Sequence, residues 1–400
     1  MAIFESDVLV VGAGPAGSAT ALFLARQGYE VTLLDRAAFP RGKPCGEYLT
    51  PGAVRLLRDE IGILPSLLQA GATRLRRETV VPHRTLPFSG ETDALICPRV
   101  VTDKMLRNAA EASGVSVVEG INARSVLRKE GRVTGLTDGR DEYRARVTVG
   151  ADGTRSLLAR DMGVVRPIRR LQRIALVTHF HAEPSANENA VTMHLPRDRS
   201  DACCGFGAPC GPNGTRNVNI VVPLSEAPRM AGRRQAYFEE RLRKSFPQVW
   251  DLVGNKSQVG SLDSIGCFGH HTTRATDDGA VLVGDAATFI NPFTGEGVYF
   301  ALRGAQMASE AIGHALARGD VSRQTLRSYD AARRAELLPR YKLCDAVQRI
   351  VHSPAGLSWA AERLRRSVQL TEVLLDTIGD VARPKDLFSF ANFRLALSTF

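Results

Sequence analysis

The stretch Asp7-Val8-Leu9-Val10-Val11-Gly12-Ala13-Gly14-Pro15-Ala16-Gly17 constrains this chain more than any other. The apolar run 8–11 reads as a buried parallel strand, the glycines open a helix over about 15–27, and 31–34 is the next strand, closed by Asp35. Strand, glycine turn, helix and strand make a βαβ unit shaped for a dinucleotide. Gly12 permits the tight turn, Gly14 lets the backbone approach a pyrophosphate, and Gly17 lets the helix pack closely on the strand. Ala16 lies in the first helical turn, whose free N–H groups and positive dipole end face the phosphates. Asp35 is placed to accept hydrogen bonds from ribose hydroxyls. The apolar segment 8–25 also invites reading as a signal peptide or membrane span. Glu5 and Asp7 stand before it in place of basic residues, and glycines and a proline interrupt it, so both are rejected.

A length of 400 residues allows about two domains. Seven cysteines, an odd number without repeated spacing, argue against a disulfide framework and for a reducing cytoplasm. The net charge of +10 is spread along the chain rather than massed, which speaks against nucleic acid. It describes a solvated basic surface, open to peripheral contact with anionic lipid or to an acidic cofactor. No later stretch is apolar enough to span a bilayer.

Beyond Asp35 and Arg36, the glycines and prolines of Arg41-Gly42-Lys43-Pro44-Cys45-Gly46-Glu47 make a loop that lies beside the nucleotide. Cys45 is either an active-site thiol or a small buried hydrophobe. Thr50 caps a helix with Pro51 at its first position, running to about 61. Short alternating segments over 63–95 read as strands, and Arg99 precedes a helix over about 102–113. Runs at 123–129, 132–137 and 144–149 form an antiparallel meander ending at Asp152-Gly153, an acid and glycine that again suit a ribose or phosphate. Residues 171–265 are rich in strand-like runs, followed by a helix over about 232–246. A second buried strand ends at Gly284-Asp285, and the loop from Pro292 through Gly295-Glu296-Gly297 opens a helix over about 298–318. From 322 onward the chain is helical, with Pro354 and Pro384 as breaks. Those helices are either a lid or packing tail, or the apolar face over 357–375 lines an entrance for a lipid substrate.

The fingerprint, the Asp35-Arg36 pair, the Lys43-to-Glu47 loop and the Asp285 motif together resemble the geranylgeranyl reductase family of flavoproteins. That family stands within the para-hydroxybenzoate hydroxylase-like superfamily. The resemblance implies FAD as cofactor, NAD(P)H as the reductant, and an α/β fold. Its parts would be a Rossmann-like FAD-binding domain with parallel sheet and β-meander, an antiparallel-sheet substrate domain and a C-terminal helical segment. The boundaries expected are 1–75, 96–170 and 266–330 for the FAD-binding domain, 76–95 and 171–265 for the substrate domain, and 331–400 for the helices. The resemblance puts Arg36, Gly46 and Asp152-Gly153 at the cofactor. It makes Arg99 a flavin contact, against the reading of a solvated cap residue. Asp285 would hold the ribityl chain or a phosphate-bound water, and the helix after Pro292, Gly295, Glu296 and Gly297 would aim its N-terminus at the flavin pyrimidine edge. Where the family usually carries a tryptophan or tyrosine, this chain has Phe206 or Ala208, so the substrate does not transfer with the motif.

Other chemistries find little support. Cys203, Cys204 and Cys210 lack CxxC spacing, and His179, His181, His270 and His271 do not make a metal set, so no metal is expected. Neither a GxSxG elbow nor a GxxxxGK[ST] loop occurs. Asn213-Gly-Thr215 matches a glycosylation sequon that a cytoplasmic protein would not use. The two tryptophans, Trp250 and Trp359, are too far apart for the Trp-x-Trp pattern usual in flavin-dependent halogenases. The expected function is an FAD-dependent oxidoreductase reducing a carbon–carbon double bond of a hydrophobic substrate of prenyl, quinone or polyketide type. Cys45 and Glu47 are the catalytic candidates, Glu47 the better proton source because a buried carboxyl holds its proton more tightly. A monooxygenase of the same architecture is the alternative, and an electron-transfer flavoprotein would need no roofed pocket.

Overall fold

The computed structural model describes residues 1–82, 86–182, 189–195, 203–210, 214–266, 268–290 and 294–387. The strand Ile3–Val11 is buried over its apolar second half because it takes the centre of a sheet. It pairs in parallel with Glu142–Gly150 on one side and Val31–Asp35 on the other. Ala280–Leu282 and Ser116–Glu119 extend the parallel ladder outward. A parallel strand covered on both faces must be apolar throughout, which is the pattern of 8–11. Ser125–Lys129 and Arg132–Thr137 form the expected antiparallel meander running into Glu142–Gly150. The helix Pro15–Ala25 is buried nearly all round, between the sheet and the helices Arg99–Ala112 and Gly297–Ala317.

A second sheet runs in the order Gln258–Gly266, Arg173–His181, Thr215–Pro223, Cys203–Cys210, Ala190–His194, Arg77–Val81, Phe88–Glu91. One face packs on the helices Arg234–Ser245 and Pro247–Val253, with Leu176, Val218 and Ile220 against Tyr237, Phe238 and Leu242. Because side chains alternate, the residues between these, Ala175, Val177, Asn219 and Val221, face the other way into a cavity. Tyr48–Leu49 pairs with Leu95–Ile96, which also pairs with Thr73–Arg74, so the loop before Tyr48 is fastened between the two large sheets.

Three local expectations are corrected. Residues 63–95 hold a helix, Leu64–Gln69, besides their strands, because Leu64 and Leu67 bury one helical face in the core. Arg99 does not precede its helix but begins it, behind Pro98 as cap, and is buried rather than solvated. Pro354 and Pro384 start helices, Pro354–Arg366 and Pro384–Leu387, since a missing N–H costs nothing in a first turn. The proline within a helix is Pro339, inside Arg323–Val351, where buried Leu337, Arg340 and Tyr341 hold the helix on either side of the lost hydrogen bond. The helix Val368–Ile378 completes the C-terminal layer. No described helix is long and apolar enough to cross a membrane.

Candidate active site

A cavity of about 1030 Å³ runs from the start of the Pro15–Ala25 helix, past the Cys45–Glu47 loop, to the C-terminal helices. Its first part is the nucleotide cleft, lined by Gly12, Gly14, Ala16, Asp35, Arg36, Asp152 and Gly153. Gly12 has φ +100°, and a Cβ there would lie 2.5 Å from the Ala151 carbonyl oxygen, so the turn requires glycine. A Cβ on Gly14 would meet only the far end of Arg41, at 3.7 Å; the space beyond is the cleft itself. Gly17 does not line the cavity, and its Cβ would lie 1.8 Å from the Gly12 carbonyl oxygen, which makes it a packing residue. The carboxylate of Asp35 accepts from the backbone N–H groups of Ala13 and Ala37, at 2.8 and 2.9 Å, and is approached by Arg41 at 3.4 Å. Arg41 also donates to Asp103, which holds buried Arg99 through two bonds of 2.7 and 2.8 Å. Burial alone would lower the Arg99 pKa, but the Asp103 carboxylate and the Cys45 thiol more than offset this and hold the guanidinium charged.

These residues fit FAD. One carboxylate oxygen of Asp152 accepts from the Leu157 N–H at 2.8 Å, while the other is buried without a protein partner. Burial raises the Asp152 pKa, and an orphaned acceptor at a cleft wall suits a hydroxyl-bearing ligand such as a ribose. Asp285 lines the cavity 3.2 Å from the ammonium of Lys43, so the loop and the second motif meet over the same cleft. Gly295 and Gly297 line it as well, at the start of the Gly297–Ala317 helix. Pro292 lies outside the described residues. Glu296 turns away from the cleft. Its carboxylate accepts from the Cys344 thiol at 2.7 Å and sits in a fully buried cluster with Asp380, which accepts from Arg340 at 3.0 Å and from the Thr50 hydroxyl at 2.9 Å. Burial raises both carboxyl pKa values, and the Glu296 charge raises that of Asp380 further, against the opposing effect of the Arg340 guanidinium.

The Cys45–Glu47 loop stands at the middle of the cavity, on residues that sequence reasoning overlooked. Glu47 adopts φ +61°, which costs a non-glycine residue free energy, and its buried carboxylate lies 2.9 Å from Nε2 of His179. Hydrogen bonding to Glu47 raises the His179 pKa, against the opposing effect of burial. Asn217, paired with His179 across the strands, donates to the Cys45 carbonyl at 2.9 Å. Asn219 donates to Asn217 at 3.0 Å and fills the space beside Gly46, whose Cβ would lie 3.3 Å from it. Polar residues alternating at 217 and 219 inside an apolar strand were the available signal, because they must serve one face. His179 was weighed only as a metal ligand. Tyr48 packs its ring on Gly295 and donates its hydroxyl to Glu78. Burial, then the Glu78 charge, pushes the Tyr48 pKa well up, which makes it a poor acid.

Beyond this loop the cavity becomes apolar. Val80, Phe88, Val191 and Met193 of the second sheet face Val347, Leu357, Leu364 and Leu375 of the C-terminal helices. Among the described residues no group of three or more His, Cys, Asp or Glu is arranged to hold a metal.

The FAD binding domain family matches residues 5–337. The menaquinone reductase of Mycolicibacterium smegmatis is 31% identical over 328 residues, covering 77% of this chain and 76% of that one. Digeranylgeranylglycerophospholipid reductase 1 of Methanopyrus kandleri is 29% identical over 362 residues, covering 86% of this chain and 93% of that one. Among solved structures a flavin-dependent brominase superposes with a TM-score of 0.82 at 20% identity, covering 99% of this chain and 97% of that one, a likeness of fold.

Proposed function

The chain belongs to the FAD binding domain family, among its geranylgeranyl reductase-like flavoproteins and so among FAD-dependent oxidoreductases, and from that premise we propose that it reduces carbon–carbon double bonds in the side chain of an isoprenoid lipid or quinone. The observation that carries this reading is the apolar arm: an aliphatic wall on both sides, opening directly onto the cofactor cleft at Glu47. A long hydrocarbon fits such a slot without leaving a polar group unpaired, whereas a small hydroxylated ring would not fill it.

FAD, when bound, supplies the hydride, and an external two-electron donor such as NAD(P)H restores it. The chain's own residues do the rest. The Pro15–Ala25 helix start and Asp35 would anchor the nucleotide, Asp152 would meet a sugar hydroxyl, and Asp285 would hold the ribityl chain. The aliphatic wall excludes water and aligns the substrate double bond. Addition of one hydride and one proton saturates the bond, so a proton must come from the protein. The Glu47–His179 pair is the donor: His179, whose raised pKa keeps it protonated to higher pH, passes its proton to the Glu47 carboxylate, and Glu47 delivers it to the substrate carbon. Cys45, whose sulfur accepts from the Glu47 N–H at 3.3 Å, stands beside the same point and acts as wall or neutral donor.

The supporting test is anaerobic. Reduced holoenzyme with an unsaturated isoprenoid quinone or a digeranylgeranyl lipid should return oxidised flavin and a product heavier by two hydrogens per bond. Substrate-dependent oxygen consumption with an oxygenated product would instead favour the monooxygenase.

A further inference from the structure

Resting on the reading of the substrate as a lipid, we propose that the outer face of the Pro354–Arg366 helix, with the corner around it, docks on an anionic lipid bilayer. The inner face of this helix, Leu357, Ala360, Ala361 and Leu364, lines the apolar arm with helical spacing. On the outer face Trp359 stands 52% exposed, Val368 at the next helix start is 72% exposed, and Ile350, which itself lines the arm, is 41% exposed. Single exposed apolar side chains are ordinary, but these three stand on the consecutive helices Arg323–Val351, Pro354–Arg366 and Val368–Ile378, each of which lines the arm, and arginines flank them in sequence. The Arg363 guanidinium lies over the Trp359 ring at 4.2 Å. Arg365 and Arg366 flank Glu362, and Arg170 and Arg349 flank Asp345. Five arginines against these two carboxylates and exposed Glu372, one helical turn after Val368, leave this corner at +2. A tryptophan with an arginine at its ring suits the headgroup level, the ring among acyl boundaries and the guanidinium at phosphate. The charge also selects the occupant. A second copy of this chain, itself +10, would be repelled, whereas an anionic membrane is attracted. Docked so, the arm lies about one helix diameter, roughly 10 Å, from the lipid.

The experiment uses the FAD-loaded Trp250→Phe variant, which leaves Trp359 as the single tryptophan. Vesicles of phosphatidylcholine alone are compared with vesicles of phosphatidylcholine mixed with phosphatidylglycerol. The expected result is a blue shift of Trp359 emission and co-sedimentation with the mixed vesicles, both weakened by salt. The pair Trp359→Asp with Val368→Asp should lower vesicle binding at least about tenfold while FAD and turnover of detergent-dispersed substrate are retained. Replacing Arg363, Arg365 and Arg366 by Gln should remove the preference for the anionic vesicles. Absence of any shift, or undiminished binding by the aspartate pair, would overturn the docking. So would light scattering that shows a dimer dispersed by the aspartate pair, which would assign this face to a second copy. Vesicle binding is read without turnover, so binding with no lipid reduced would overturn the substrate reading and leave the docking standing.

Discussion

Gly14 and Gly17 stand three residues apart in one fingerprint, yet their substitution should fail in different ways. Gly14 has φ −76° and ψ −175°, open to any L-residue, and its Cβ would meet nothing nearer than the flexible end of Arg41 at 3.7 Å. Gly14→Val should therefore leave the apo fold within about 0.5 kcal/mol of wild type. Its isopropyl group would occupy the cleft in front of the start of the Pro15–Ala25 helix, whose first-turn N–H groups have no helical acceptor. Displacing the pyrophosphate from two charge-assisted hydrogen bonds at about 1.5–3 kcal/mol each would weaken FAD by about 3–6 kcal/mol, on the order of 10²–10⁴-fold. Gly17→Ala reverses the pattern. Its Cβ would lie 1.8 Å from the Gly12 carbonyl oxygen and 3.0 Å from Ala151 Cβ, so the helix must lift off the strand. Overpacking of this kind costs about 1–3 kcal/mol, and the backbone contact puts it at the upper end. The assay is a pair of measurements on each variant: the melting temperature of apo protein and the FAD dissociation constant from flavin fluorescence quenching. A Gly14→Val apo protein that melts well below wild type, or one that binds FAD with unchanged affinity, would refute the assignment of that space to the pyrophosphate.

Glu47→Gln should keep FAD bound and keep flavin reduction by the donor, but slow reoxidation by lipid substrate about 10²-fold or more; stopped-flow comparison of the half-reactions checks it, and a wild-type rate would make the loop structural. The raised pKa of His179 makes its pairing with Glu47 stabilising below the unfolded value of about 6.5, and that contribution is lost as pH rises through the raised folded value. Melting temperatures of wild type and His179→Gln should accordingly differ at pH 6 or so and converge on the alkaline side, and a gap that widens with pH would contradict the pairing. Asp35→Ala should weaken FAD by about 1–3 kcal/mol and also lower the apo melting temperature, because the carboxylate holds the N–H groups of Ala13 and Ala37 as well. An isothermal titration showing unchanged affinity would move the ribose partner elsewhere.

The sequence by itself determined the nucleotide half of this protein. Tight turns, a missing side chain at Gly14 and an acid at a strand end are local requirements, and local requirements are written in consecutive residues. The second motif was legible for the same reason, since Asp285, Gly295 and Gly297 stand close together in sequence and again at the cleft. The tertiary structure alone decided what surrounds the Cys45–Glu47 loop. His179 is 132 residues from Glu47, and Asn217 is 172 from Cys45, and nothing in either neighbourhood names the other. It also decided against Glu296 as a cleft residue, although the glycines on both sides line the cleft, because Arg340, Cys344 and Asp380 arrive from the C-terminal layer to receive its carboxyl. Those helices carried an open choice between packing tail and lipid entrance, since an apolar helix face reads alike in either role. Which partner an apolar or titratable side chain meets is set by long-range packing, and one-dimensional pattern records only that it must meet something.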